Sequence, residues 1–215
     1  MKEKFIIAMI GHTAAGKTTL AKYLSERLNS PCISEGKLKR SLKTQYISEN
    51  SLDEELRDKG YKMAIMHCIE QLSLNDIVII DASFHRLIRR IWLYDAITSQ
   101  LGISVIWLYC DCPNENEVKN RLYKRASEKE KNADNQADQF YIYEYIKSTF
   151  DPVSVDDFNP RINTAIIKIN TAANIITGIE KNTYCSNLLL DTLIDSIIPT
   201  YLQMKKLQSF GGVYG

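Results

Sequence analysis

Uninterrupted apolar runs set the plan of the chain. Phe5-Ile6-Ile7-Ala8-Met9-Ile10, Ile77-Val78-Ile79-Ile80 and Ile103-Ser104-Val105-Ile106-Trp107-Leu108-Tyr109 have the length of strands and almost no alternation with polar residues. Such strands are covered on both faces, as in a parallel sheet flanked by helices. Thr164 to Ile169 is a fourth run, and Cys32-Ile33-Ser34 a short fifth. Between them the spacing turns helical. Leu20, Ala21, Leu24 and Leu28 recur with Lys22, Ser25, Glu26 and Arg27 in between. A long amphipathic helix is predicted through Leu56, Met63, Ile65, Met66, Ile69 and Leu72, closing at Asn75, with Ser51 as a candidate N-cap. It places His67 on the apolar face and its methionines in the core. Further helices are predicted from Glu35 to about Tyr46, over roughly 85–101, from Pro113 through Arg125, and from Gln139 to Phe150. The last is predicted over about 185–208. Strands alternating with helices predict an α/β fold with an about five-stranded parallel sheet and helices on both faces. It forms one domain over 1–215, ending in a C-terminal helical extension over about 171–208.

The turn after the first strand carries the chemistry. Gly11-His12-Thr13-Ala14-Ala15-Gly16-Lys17-Thr18 fits G-x-x-x-x-G-K-[ST], with a strand before it and a helix after it. Glycines at 11 and 16 let the backbone turn its N–H groups toward phosphate oxygens at a helix N-terminus. Residues 11–19, Thr19 included, are therefore the expected ATP-binding segment. Lys17 is expected on the β- and γ-phosphates, and the Thr18 hydroxyl on Mg²⁺. Asp81, at the carboxyl end of the second long strand, should face the same crevice, as a second candidate ligand of that metal.

Composition narrows the partners. A formal net charge of +1 provides no global basic field for nucleic acid. Residues 5–10 are too short for a signal-peptide core, and no apolar run approaches the ~20 residues of a membrane span, so a cytoplasmic protein is expected. Five cysteines (32, 68, 110, 112, 185), an odd number without metal-type spacing, read as reduced thiols.

Three features point to a kinase rather than a GTPase or a motor. No Asn-Lys-x-Asp stretch follows a later strand. Arg121 and Arg125 share one helical face, where they can close over ATP and the transferring phosphoryl group; their other reading is a solvated helix face. Ser127 to Asp138 has no apolar residue beyond two alanines, and a mobile lid over about 126–138 would keep water from the phosphoryl group. His12 lies within the phosphate loop. His85 faces the crevice by position, and Arg86, Arg89 and Arg90 read either as a cationic strip for an anionic acceptor or as a solvated helix face.

In these motifs the sequence resembles the small predicted kinases with an AAA-type ATP-binding domain, relatives of polynucleotide 5′-kinase, zeta toxin and chloramphenicol phosphotransferase. The resemblance covers roughly 5–170. It rests on the glycine loop, Ser34 to Arg40, Val78 to Phe84, Arg121-Leu-x-x-Arg125, the polar lid, Tyr143-x-Tyr145 and Phe150-Asp-Pro152. It implies a P-loop NTPase fold and transfer of the γ-phosphoryl group from ATP to a hydroxyl of a small molecule or polynucleotide end. Arg40 would grip an anionic group of the acceptor, and Arg121 and Arg125 would be lid arginines. The family often places an aspartate three residues before that Arg40, as the base for the hydroxyl proton. Here Lys37 stands there, leaving Glu35 or Asp81 as the base, while Lys37 can bind an anionic acceptor. Two other readings stay open: a nucleotide-binding regulatory or toxin-type module with little transfer activity, and a nucleoside monophosphate kinase.

Overall fold

The computed structural model describes residues 3–43, 54–98, 102–129, 140–182 and 188–211. Six strands form one sheet: β1 (Lys4–Ile10), β2 (Cys32–Ser34), β3 (Ile77–Asp81), β4 (Ile103–Asp111), β5 (Thr164–Asn170) and β6 (Ile175–Lys181). Their order is β2-β3-β1-β4-β5-β6, parallel except where β6 runs antiparallel to β5. The parallel core matches the predicted sheet. β6 is an addition, and it falls in the stretch expected to be helical. Its residues alternate between exposed and half-buried, so it is an edge strand covered on one face, without the long apolar run that marks the others.

The helices are α1 (Lys17–Leu28), α2 (Glu35–Lys43), α3 (Glu54–Leu74), α4 (Leu87–Ile97), α5 (Glu115–Lys129), α6 (Phe140–Ser148), α7 (Leu188–Thr192) and α8 (Ile198–Gly211). A π-turn over Leu193–Ile197 joins the last two. It ends beside Pro199, which has no N–H to donate to the carbonyl four residues back. The β1 side chains divide between two cores. Phe5, Ile7 and Met9 pack with Leu20, Leu24, Leu193, Ile198 and Tyr201, so the C-terminal helices share a face with α1. Ile6, Ala8 and Ile10 pack with Tyr61, Ala64, Leu72, Leu93 and Trp107, under α3 and α4. Both faces are covered, which is why β1, β3 and β4 read as continuous apolar runs.

The boundaries moved where local chemistry overrode the pattern. Pro113 lies outside α5, and Asn114 caps it: the Glu117 N–H donates to Asn114 Oδ1 at 3.2 Å. α3 buries Leu56, Arg57, Gly60, Tyr61, Ala64, Ile65, Cys68 and Leu72. His67 is exposed, and so is Met66. The expected apolar face was therefore rotated, because the true stripe is built on Arg57, Gly60 and Tyr61, which apolarity alone does not select. Cys32, Cys68, Cys110 and Cys112 are free thiols. Ser51, Cys185, the lid beyond Lys129 and the five C-terminal-most residues except Gly211 lie outside the described residues. Among the described residues, no helix is long and apolar enough to cross a membrane.

Candidate active site

β1 is flanked by β3 on one side and β4 on the other, so successive crossovers leave it in opposite directions and open a crevice at its carboxyl end. The glycine loop fills that crevice. The Gly11 N–H donates to Ser83 O at 3.0 Å. Gly11 itself has φ +143°, and a Cβ there would stand 2.1 Å from the Cys110 carbonyl oxygen. Gly16, at φ 86°, caps α1 in the left-handed region.

Lys17 opens α1 and is buried, while Thr18 and Thr19 are exposed. The Lys17 ammonium donates to the His12 carbonyl at 2.7 Å. Burial pulls its pKa down to about 8, opposed by the negative charge of Asp81 and, more weakly, Glu35, and reinforced by the cation Arg125. Asp81 and Glu35 are each 8% exposed. Among the described residues neither carboxylate has a hydrogen-bond partner. Asp81 ends β3, and Glu35 opens α2 beside it, because Ser34 pairs with Asp81 in the sheet. The Glu35 carboxylate lies against α3, with Oε1 3.0 Å from where a Cβ on Gly60 would stand. Lys17, Asp81 and Glu35 are thus brought together.

His12 braces the loop from outside. Nδ1 lies 2.8 Å from the Thr13 carbonyl, Nε2 lies 3.4 Å from Asp111 Oδ1, and the ring stands edge-on to Tyr143 at 4.9 Å. The hydrogen bond from His12 is the leading cause holding the Asp111 carboxyl below its ordinary value.

The two arginines of α5 part company. Arg121 donates from Nη1 to Ala14 O (3.1 Å) and Thr171 Oγ1 (3.0 Å), from Nη2 to Thr171 O (2.9 Å), and from Nε to Glu117 (2.8 Å). Its fork ties the phosphate loop to the end of β5. Arg125, one turn on, is the arginine whose charge acts on Lys17. Arg121→Ala is expected to weaken ATP binding about tenfold by isothermal titration, since several hydrogen bonds to the loop and its support are lost. Arg121→Lys should not restore it, because an ammonium cannot reproduce the planar fork.

On the acceptor side Arg40 is half-buried and Lys37 exposed on α2. Neither is among the strongest charges acting on Lys17 or His85. His85 is fully buried, as are Arg89 and Arg90, so α4 presents no solvated cationic face at these two positions. Arg90 donates to the Phe84 carbonyl (2.9 Å) and to Asp151 O (3.3 Å), clamping the turn after β3 to the segment after α6. Arg89 binds Glu54 and Asp58 of α3. Sequence reasoning passed over Arg57, Tyr61, Asp111 and Thr171, which touch or brace these residues. The i, i+4 spacing of Arg57 and Tyr61 on α3 was the available signal.

A magnesium ion bound with ATP fits these residues. Among the described residues no cluster of His, Cys, Asp or Glu could hold a metal alone. A phosphate-loop metal needs only one hydroxyl and one carboxylate beside the nucleotide oxygens and water. Thr18 and Asp81 offer those groups.

A strand, a glycine loop with a buried lysine and a helix at the turning point of a parallel sheet define a P-loop nucleotide-binding fold. The chain belongs to the AAA domain family, which matches residues 6–145. Its structure is similar to a candidate kinase from Chloroflexus aurantiacus J-10-fl, at 18% identity and a TM-score of 0.56 over 80% of this chain and 89% of that one. It is also similar to a sugar kinase from Janibacter sp. HTCC2649, at 17% identity and a TM-score of 0.53 over 77% and 85%. At these identities the likeness concerns the fold. No curated protein matches the chain.

Proposed function

We propose that the protein is an ATP-dependent phosphotransferase that moves the γ-phosphoryl group to a hydroxyl of a small molecule or a polynucleotide end. The observation that carries this reading is the convergence of buried Lys17 with two buried carboxylates, Asp81 and Glu35, at the phosphate loop. A site that only held nucleotide would need one carboxylate for the metal shell; a second, against Gly60, supports a role in taking the proton of an acceptor hydroxyl. The kinase-like structural neighbours and the resemblance to polynucleotide 5′-kinase and its relatives support the same reaction class.

In this scheme residues 11–19 cradle the phosphates of ATP, and Thr18 and Asp81 hold Mg²⁺, which would neutralise developing charge on the phosphates. Glu35 accepts the hydroxyl proton. Arg125 faces the transferring group, and Arg121 fixes the loop. Arg40 and Lys37 meet the acceptor from α2.

The test is ADP release from ATP–Mg²⁺ with 5′-hydroxyl DNA and RNA, nucleosides, nucleoside monophosphates, sugars, sugar acids and aminoglycosides. Stimulation by one class is expected. Glu35→Gln should lower the stimulated rate by about 10²–10⁴-fold with ATP affinity kept, and Asp81→Asn should raise the magnesium requirement. ATP binding without stimulation by any acceptor, together with indifference to Glu35→Gln, would favour a regulatory nucleotide-binding module instead.

A further inference from the structure

Beyond the residues that handle ATP, the structure buries a second set of cations whose hydrogen bonds are incomplete. Arg57, on α3, is 5% exposed. It makes no hydrogen bond among the described residues: its Nε lies 3.4 Å from Glu54 Oε1, outside hydrogen-bond geometry, and is buried without a partner. Glu54 is already engaged, with Oε2 on Arg89 and Oε1 accepting from the Tyr145 hydroxyl at 2.8 Å. Arg89 is 1% exposed and bound to Asp58 and Glu54, yet its Nη1 has no partner. His85 is fully buried with both ring nitrogens unpartnered.

These groups lie close together between α3 and α4. Arg57 and Tyr61 are a turn apart on α3, and the Arg89 guanidinium lies over the Tyr61 ring, 4.6 Å from its centroid. The Tyr61 hydroxyl accepts the Phe84 N–H at 3.1 Å, fixing the residue before His85. Arg57 also lies over the Tyr145 ring at 5.8 Å. Burial first, then the charges of Arg57, Arg89, Lys17 and Arg86, push the His85 imidazole down to about 2. It is therefore neutral, with one nitrogen free to donate.

The remaining cations nearby are occupied. Arg86 lies 3.6 Å from Asp151, and Arg90 is spent on backbone carbonyls. Arg57 shares its ion-pair partner, Glu54, with Arg89. A buried guanidinium with unused donors is costly unless something supplies oxygen acceptors.

We propose that Arg57, with Nη1 of Arg89 and a ring nitrogen of His85, forms a subsite for an anionic oxygen group, carboxylate or phosphate, carried by the acceptor. The inference rests on the phosphotransferase reading. It adds where the anionic group of the acceptor would be held: beside α3, at the buried Arg57, and not at the half-buried Arg40. Gly60, where the Glu35 carboxylate rests, is three residues from Arg57 on α3, about 5 Å along the helix. An acceptor held by its anion at Arg57 can thus present a hydroxyl to Glu35 within the length of a small molecule.

The test titrates inorganic phosphate and, separately, acetate into the full chain saturated with a non-hydrolysable ATP analogue, so that the phosphate loop is filled. The readout is the imidazole ring NMR signals. The chain has three histidines, and exposed His67 serves as the internal control. A saturable shift of the His85 ring, without one at His67, is expected for at least one anion, and the tighter of the two names the group. Arg57→Met should weaken that binding at least tenfold. It should leave the free protein's melting temperature unchanged or higher, whereas loss of a structural arginine would lower it. If the methionine variant fails to fold, Arg57→Lys, which keeps the charge without the fork, should weaken binding measurably. No saturable shift at His85 with either anion, or equal affinity in the folded variant, overturns the subsite. Neither result bears on the kinase reading, which the ADP-release panel decides independently.

Discussion

Replacing Lys17 by methionine is expected to lower acceptor-stimulated ADP release by about 10²–10³-fold, the usual cost of one preorganised donor to a developing charge. ATP should no longer raise the melting temperature. The free protein should melt no lower than the wild type, because the substitution removes an ammonium whose burial holds its pKa near 8. That pairing separates a functional lysine from a structural one. The same burial predicts a pH dependence. In the free fold Lys17 is charged below about pH 8, and phosphate oxygens raise its pKa on binding. Nucleotide affinity should therefore hold below pH 8 and fall by up to about tenfold per unit above it, with proton uptake on binding. For stability the sign runs the other way. The folded pKa lies below the unfolded one of 10.5, so this group's cost to the fold is full below pH 8 and fades as pH rises toward 10.5. Calorimetry in buffers of different ionisation enthalpy would expose the proton uptake; an affinity flat from pH 7 to 9.5 would count against it.

Gly11→Ala should be the most destabilising alanine substitution among the described glycines. The new Cβ would stand 2.1 Å from the Cys110 carbonyl oxygen, at a φ of +143°. Neither the β4 backbone nor the loop can yield without breaking the register of β1 with β4. A loss of about 3 kcal/mol is expected from strain and overpacking, or about 6–12 °C in melting temperature for a chain of this size. Gly102→Ala is the control. It too has positive φ, but its Cβ would meet nothing within 4 Å, so it should cost about 1 kcal/mol from the dihedral alone. Similar losses at both positions would mean that the contact with β4 is not what demands a glycine.

Glu35 and Asp81 show what spacing can and cannot reach. Asp81 was a candidate because it closes β3, and Glu35 because Lys37 stands where the resembled family has its aspartate; the pairing of Ser34 with Asp81 sets the two side by side. The division of labour between Arg121 and Arg125 was not legible. Both stand on α5 four residues apart, and only the position of Thr171, fifty residues downstream, ties the Arg121 fork to the phosphate loop. Arg57 was invisible for a related reason. A charged residue in an amphipathic helix reads as solvent-facing until α6 brings the Tyr145 ring against it and α4 lays Arg89 over its helical neighbour Tyr61.

What the chain determined by itself was local or periodic. The apolar runs fixed a parallel sheet covered on both faces, and Gly11 to Thr18 fixed a phosphate loop, because strand burial and turn geometry are encoded within a few residues. The tertiary structure alone decided the sixth strand, the rotation of α3 that buries Arg57 and exposes His67, and the burial of Arg89 and Arg90. Each depends on what another element places against a face, and a buried cation is tolerated only where distant residues supply its partners.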